Sequence, residues 1–353
     1  MPAIRRATRA TTPRSASPTT PLPPPPAATG PKPLKSPGFA VDKNGIAGAY
    51  FRKVMTDSSK ANVGLRATGT LPTPTFDPRR QFVSPNGMDD FKTGPLDRPS
   101  VYMGGHAGGN ELDCGLTWDR VYDSQRRATY TDCANGSDGR DPAHRFVRGM
   151  DGAQQTLVDG NGKVVAKGLA EVAEKLKSLR PHFAFRPYWR TTGDGNNTWN
   201  NPGAGTPQNL YFYPGEKLVM NVQEGGPDKV RMDIRLEGSA VQQHSTQVFD
   251  QQGFGVGKAR SFKRIMSVDQ FRVVDGERKG NEKQPVIKTS TTLAGGRWDE
   301  VTVSRRDGTT RPMTGAGFTE VRGRDLASRY GEVFKLSGFT DRGGESLQLV
   351  PLH

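Results

Sequence analysis

Long apolar runs are missing from this chain of 353 residues. No stretch approaches the roughly 18 apolar residues of a bilayer-spanning helix, so no transmembrane segment is expected. The N-terminus, MPAIRRATRATTPRSASPTT, has basic residues but no apolar core behind them, so it does not read as a Sec-type signal peptide. Its lack of acids suits an organelle transit peptide, yet its prolines prevent the amphipathic helix that such peptides form. Histidine is sparse: His106, His144, His182, His244 and His353 are scattered without metal-ligand spacing. There is no G-x-S-x-G, no phosphate-cradling loop and no Cys/His nucleophile motif. The cluster Gly104-Gly105-His106-Ala107-Gly108-Gly109 reads as a turn and not as a dinucleotide fingerprint, because no helix follows it. No period of 20–50 residues recurs, which argues against a propeller or solenoid.

Cysteine is nearly absent. Cys114 and Cys133 flank LTWDRVYDSQRRATYTD, which reads as two strands around a turn near Asp123–Arg126. A simple hairpin register would bring the two thiols face to face. A bridge there would close a loop worth roughly 3 kcal/mol in the chain-entropy model and would favour an oxidising compartment or a virion exterior. Reduced, buried cysteines are the competing reading. A two-cysteine metal site would need further ligands.

Glycine (43) and proline (27) are plentiful, while only 33% of residues are hydrophobic. That composition indicates many turns and few helices. The formal net charge is +14, and Arg5, Arg6, Arg9, Arg14, Lys32 and Lys35 place six of those charges in the first 40 residues, which hold no acid. Residues 1–40 are therefore expected to form a disordered, basic Pro/Thr/Ser-rich arm, too poor in apolar residues to offset chain entropy. The arm reads as a solvated tail or as a dock for an anionic partner. Residues 41–95 read as an irregular lead-in. Residues 96–353 read as a β body, with a subdivision near 205 as an alternative.

Strand signals are regular in that body. Val230, Met232, Ile234 and Leu236 alternate with Arg231, Asp233, Arg235 and Glu237, predicting one dry and one wet face. Lys217–Gln223 is the expected partner. Gln155–Val158 and Lys163–Ala166 flank Asp159-Gly160-Asn161-Gly162, a tight-turn signal. Further strands are expected at Val101–Met103, Leu112–Tyr122, Ala128–Thr131, Ser261–Val268, Gln270–Val274, Val286–Thr292, Trp298–Ser304 and Ser346–Val350. Leu169, Val172, Ala173, Leu176 and Leu179 share one helical face, and a second short helix is expected near Leu326–Phe334. About a dozen antiparallel strands define an all-β chain, a two-sheet antiparallel β-sandwich or jelly roll with one or two short helices.

Four stretches could carry function. In Asn110–Asp119, Glu111 and Asp113 would lie on the same face of a strand, about 7 Å apart. This stretch resembles the Glu-x-Asp-x-x-Glu strand of laminarinase-type glycoside hydrolases, whose fold is a concanavalin-like jelly roll. The resemblance implies Glu111 as nucleophile and Asp113 as its helper. The motif's second glutamate would fall at Leu116 or Gly115, so the proton donor is missing from this strand. The plainer reading is an edge strand with exposed acids. Thr131–Pro142 carries Asp132, Asn135, Asp138 and Asp141, oxygen donors that could wrap a Ca²⁺, although Asx-turns explain the same residues. Tyr188, Trp189, Asp194, Asn196, Asn197, Trp199 and Asn200 combine aromatic faces with amides, which suits glycan recognition. A core tryptophan followed by a long turn is the alternative. Lys258–Arg264, with Arg305-Arg306 and Arg322–Arg324, could grip phosphates, but the alternation of SFKRIMSV favours a strand with a wet cationic face.

The leading expectation is a non-enzymatic sandwich of concanavalin/laminin-G-like architecture, binding a glycan or cell-surface polymer without a cofactor, at a cell or virion surface or outside the cell. The alternatives are a structural or assembly protein using the basic arm, such as a virion jelly-roll component, and a polysaccharide-cleaving hydrolase whose acid/base lies elsewhere in the chain.

Overall fold

The computed structural model describes residues 48–87, 92–122, 128–133, 135–137, 145–151, 154–193, 196–200, 211–238, 244–255, 257–280, 286–314, 318–322 and 333–351. The chain opens with β1 (Ala49–Thr56), β2 (Asn62–Thr70), β3 (Thr73–Thr75), β4 (Gln81–Phe82) and β5 (Gly94–Pro95). A long hairpin of β6 (Asp97–Ala107) and β7 (Asn110–Arg120) follows. It turns at Gly108, whose φ of 62° suits a residue without a side chain. Next come β8 (Thr129–Thr131), β9 (Arg145–Asp151), β10 (Gln154–Asp159), β11 (Val164–Lys167), α1 (Leu169–Leu176) and β12 (Arg180–Pro181). The third quarter holds β13 (Phe183–Gly193), β14 (Asn196–Asn200), β15 (Lys217–Gly226), β16 (Lys229–Leu236) and β17 (His244–Asp250). The chain then continues through β18 (Ser261–Val274), β19 (Glu277–Gly280), β20 (Thr292–Arg305) and β21 (Thr310–Pro312). The last described strands are β22 (Phe318–Arg322), β23 (Phe334–Leu336) and β24 (Gly343–Leu349).

Two large antiparallel sheets form the sandwich. Among the described residues the first has eight strands, in the order β14-β13-β7-β6-β18-β1-β22 with β19 attached to β18. The second has nine, in the order β17-β16-β15-β2-β20-β24-β23 with β3 and β21 on β20. The inner residues of both sheets meet in one core, including Met103, Leu112, Cys114 and Phe185 from the first and Leu65, Met232, Val301 and Leu347 from the second. Trp118 sits within it, edge-on to Phe185 at 5.0 Å and close to Phe76 at 5.7 Å. A smaller five-stranded sheet, β11-β10-β9-β8-β12, carries α1, whose Val172 and Leu176 pack with Tyr130, Leu157 and Ala166. The helix thus covers a separate small sheet.

An ion-pair triad joins the two large sheets through the core. Arg52 of β1 donates to Glu345 of β24 through Nε at 3.1 Å and Nη2 at 2.7 Å, and Arg264 of β18 donates to the same carboxylate at 3.0 Å. All three side chains are at most 1% exposed. Burial works against the Glu345 charge, but the two guanidiniums hold its pKa below the ordinary value. Phe339 lies beneath both arginines, at 5.6 and 5.5 Å.

Several expectations match. β15 and β16 pair antiparallel as read from their alternation. The β10–β11 turn is held by Asp159 Oδ1, which accepts from the backbone N–H groups of Asn161 and Lys163. Others are corrected. The stretch read as an irregular lead-in contains β1 and β2, each an interior strand of a large sheet. In AYFRKVMT the inward set is Tyr50, Arg52 and Val54, and a core arginine at the middle position hides the apolar period. Leu112–Tyr122 and Ala128–Thr131 do not form a continuous hairpin. β7 pairs with β6 and β13, whereas β8 leaves for the five-stranded sheet, and among the described residues only the bridge Tyr122↔Ala128 and its neighbours connect the two stretches. Cys114 is therefore buried in the main core while Cys133 follows β8, and both thiols are free. Ser261–Val274 is one strand, not two. Val286–Thr291 is not a strand: there Thr289 and Thr291 donate to Asp97 at 2.5 and 2.7 Å. The helix expected near Leu326–Phe334 and the boundary near 205 lie outside the described residues, apart from Val333 and Phe334; Phe334 begins β23.

Candidate functional site

Strand alternation sends every second side chain of β13, β7, β6, β18 and β1 away from the second sheet. On that outer face, register aligns Lys263 with Gly104, Gly104 with Asp113, and Asp113 with Arg190. Gly104 carries no side chain, so the Lys263 ammonium reaches across β6 to β7. Its Nζ lies 2.6 Å from Asp113 Oδ1 and also pairs with the Glu111 carboxylate. His106 Nε2 is 3.5 Å from Glu111, and Arg190 Nη1 is 3.9 Å from Asp113. Lys263 is fully buried and Asp113 is 5% exposed, while Glu111 and His106, at 28% and 33%, form the solvent edge of the cluster.

The next outward row is apolar and aromatic. Ile265, Tyr102 and Tyr188 pack together with Phe51, and the two tyrosine rings meet edge-to-face at 5.9 Å. Beyond this band lies a second polar group. The Ser100 hydroxyl is 3.2 Å from Asp269 Oδ2 and 3.0 Å from Thr117 Oγ1. Arg186 donates to Asp119 at 3.2 Å, with Arg98 3.6 Å from the same carboxylate.

The carboxyl groups of this face are driven apart in acidity. Burial and the nearby Asp113 charge push Asp269 up from 3.8 to about 6, while the Ser100 hydrogen bond and Arg190 pull against them. Glu111 moves the other way, to about 2. Its burial would raise it, but the charge and hydrogen bond of Lys263, with His106 and Lys53 behind, outweigh that. Burial disfavours the Lys263 charge too, yet Asp113 and Glu111 carry its pKa above the ordinary lysine value. His106 is held low by burial and by Lys263. One face thus holds carboxyl groups shifted in opposite directions, Glu111 down and Asp269 up.

Glu111 and Asp113 share a face as their spacing predicted, but β7 is an interior strand and the pair is tied to a buried cation, so the exposed-edge reading is corrected. Tyr188 is buried on the outer face. Trp189 is turned to the opposite side, where its ring stacks on Phe249 at 5.4 Å and 12° between the sheets. The supposed long turn after it is a hairpin: Asn196, Asn197, Trp199 and Asn200 lie on β14, with backbone register pairing Trp199 to Arg190. Asp194 lies outside the described residues. Of the oxygen donors considered for Ca²⁺, Asp132 and Asn135 are described, and Asp138 and Asp141 are not. Among the described residues no group of three or more His, Cys, Asp or Glu side chains could hold a metal ion. The wet cationic face expected of SFKRIMSV is corrected: Arg260, Lys263 and Arg264 are all fully buried. Lys263 faces the outer carboxylates, Arg264 faces the core triad, and Arg260 donates to the carbonyls of Asn62, Phe254 and Gly255.

Lys263, Asp269 and Arg190 escape a local reading. Nothing in the sequence near Glu111 announces a partner about 150 residues away. The pattern of Ser261–Val274 gives no clean signal either, since Lys263 stands beside Arg264, Ile265 beside Met266 and Asp269 beside Gln270.

No protein-family model and no curated protein matches this chain. Among solved structures, a scytalido-glutamic peptidase bound to a peptide-based transition-state analogue is similar at 8% identity, covering 86% of this chain and 98% of that one, with a TM-score of 0.42. SCP-B, a member of the eqolisin family of peptidases in complex with the tripeptide Ala-Ile-His, gives 9% identity over the same shares, with a TM-score of 0.39. Both likenesses are distant.

Proposed function

We propose that this chain is a hydrolase of a polymeric glycan that works through carboxyl groups on the outer face of the eight-stranded sheet. The carrying observation is that two stretches far apart in sequence, β7 and β18, bring Glu111, Asp113, Lys263 and Asp269 to that one face. Asp269, titrating at about 6, is the proton donor to the leaving oxygen. Glu111 stays ionised throughout the working range. Its row lies eight residues of β18 away from Asp269, roughly 26 Å along the face, so it holds a different sugar unit of the polymer and not the anomeric carbon. Lys263 holds Glu111 and Asp113 in place. In this reading the proton donor lies on β18 and not on β7, and the sandwich is concanavalin-like, acting outside the cell or at its surface. Register at the β13–β14 hairpin supports a carbohydrate substrate, because it sets Trp199 opposite Arg190 and beside the Asp113 row.

The same register favours a second reading, glycan binding without cleavage. The test is release of reducing ends from soluble polysaccharides across pH, by the full chain and by Asp269→Asn and Glu111→Gln. Asp269→Asn is expected to lose about a hundredfold or more in rate, the scale of general acid catalysis, and Glu111→Gln to weaken substrate binding. Unchanged binding of glycan with no turnover by any form leaves the second reading. No binding and no turnover sinks both. A role in assembly through the basic arm rests on residues 1–40, outside the described residues.

A further inference from the structure

The outer face of the nine-stranded sheet carries a separate constellation. Arg66, Val219, Asn221, Arg231, Asp233 and Arg235 line a depression of about 220 Å³. Register places Arg66, Asn221 and Asp233 in one row across β2, β15 and β16, with Arg235 opposite Val219 in the adjacent outward row. β2 and β16 are two strand spacings apart, about 10 Å, so two arginine side chains can converge over β15. Val219 forms the floor. It points outward yet is only 7% exposed, as expected where arginine stems lie along an apolar surface.

The charges of this depression are unevenly paired. Arg231 donates to Asp233 through Nε at 2.9 Å and Nη2 at 3.1 Å, and Thr246 donates to the same carboxylate at 2.6 Å. Asp233 is thus neutralised and fully engaged. Asn221 donates to Gln223 at 3.2 Å. Neighbouring cations are likewise tied: Lys229 to Asp250, Arg306 to Glu224. Among the described residues, Arg66 and Arg235 have no carboxylate partner. Two like charges facing one concavity repel each other, and a single anion between them reverses that cost. Guanidinium forks match tetrahedral oxyanions in a way that ammonium groups do not. About 220 Å³ holds such an anion with several waters, at roughly 30 Å³ each.

We propose that the outer face of the nine-stranded sheet binds an oxyanion, a phosphate or sulfate group, between Arg66 and Arg235 over Val219 and Asn221. This site lies on the opposite side of the sandwich from the carboxyl face and is independent of the activity proposed there.

The experiment is calorimetric titration of the full chain with inorganic phosphate and, separately, inorganic sulfate at low ionic strength. The probes are Arg66→Gln/Arg235→Gln, Asp233→Asn and, as a charge-matched control, Lys163→Gln/Lys288→Gln. The double arginine variant is expected to bind about tenfold more weakly or worse, the scale of losing charge-assisted hydrogen bonds, and the control is expected to bind as the parent does. Asp233→Asn is expected to tighten binding, because it removes the one negative charge in the depression. All substituted side chains except Asp233 are exposed, and an unchanged Tm without anion checks that each variant folds. Binding of either anion alone upholds the site and names the source of the group. Equal weakening in the lysine control, or no binding of either anion by the parent, overturns the proposal.

Discussion

Lys263 and Asp113 meet at 2.6 Å although their strands are not neighbours. β6 runs between them, and the residue it places in their row is Gly104. The contact therefore depends on a missing side chain as much as on opposite charge. It joins two strands separated by 140 residues of sequence and fixes the carboxyl face as one unit.

Gly104→Ala tests that dependence. A Cβ at this position would meet the Leu112 carbonyl oxygen at 1.9 Å, so backbone must move. We expect a loss of about 2–3 kcal/mol in urea denaturation, the upper range for overpacking. The Glu111 pKa, followed by carboxyl NMR, is expected to rise towards the ordinary value as the Lys263 contact loosens. An unperturbed Glu111 in a destabilised variant would show that the lysine reaches β7 by another route.

Asp269 links stability to pH. The folded protein holds its proton to about pH 6, whereas the unfolded carboxyl releases it near 3.8. The folded state binds the proton more tightly between these values, so this group favours folding fully below 3.8 and loses that contribution as pH rises through 6. A shift of roughly two units corresponds to about 3 kcal/mol. Asp269→Asn is expected to be more stable than the parent at about pH 8 and to show a flatter pH profile of unfolding free energy between these limits. A parallel offset at every pH would refute the assignment.

The core triad gives the largest expected effect. Glu345→Gln leaves Arg52 and Arg264 buried against a neutral amide, and breaking a buried pair in this way costs about 3–5 kcal/mol. Adding Arg264→Met to that background should recover part of the loss, because an apolar side chain of similar length removes one uncompensated charge. Additive destabilisation in the double variant would mean that the arginines act independently of the carboxylate.

The local patterns in the chain were legible and the cross-strand partners were not. β16 could be read because Val230, Met232, Ile234 and Leu236 alternate without exception, and α1 because its apolar residues keep helical spacing. Glu111 and Asp113 could be placed on one face from their spacing alone. β1 was hidden because Arg52 occupies an inward position, which a binary pattern scores as wet. Lys263 and Arg264 looked like one cationic surface for the same reason. Each is buried by carboxylates from distant strands, and burial of charge is a property of the pair. The break read at Asp269 reflects the same bias, since an acid inside a strand is expected only where a folded environment tolerates its neutral form.

Trp189 and Tyr188 separate the glycan expectation from packing. Trp189 lies between the sheets, stacked on Phe249, and its neighbour faces the carboxyl side beside Tyr102. Trp189→Ala removes a large, partly buried ring and is expected to cost about 2–3 kcal/mol, somewhat below the range for fully buried aromatic truncations. Measured at a temperature where the variant is folded, its glycan affinity should equal that of the parent, because the ring has no access to the outer face. Tyr188→Ala should instead disturb the aromatic band between Asp113 and Asp269 and alter turnover or binding at the carboxyl face. Loss of glycan affinity in Trp189→Ala with a parental Tm would place recognition on the inner edge of β13 and move the site away from Glu111, Asp113 and Asp269.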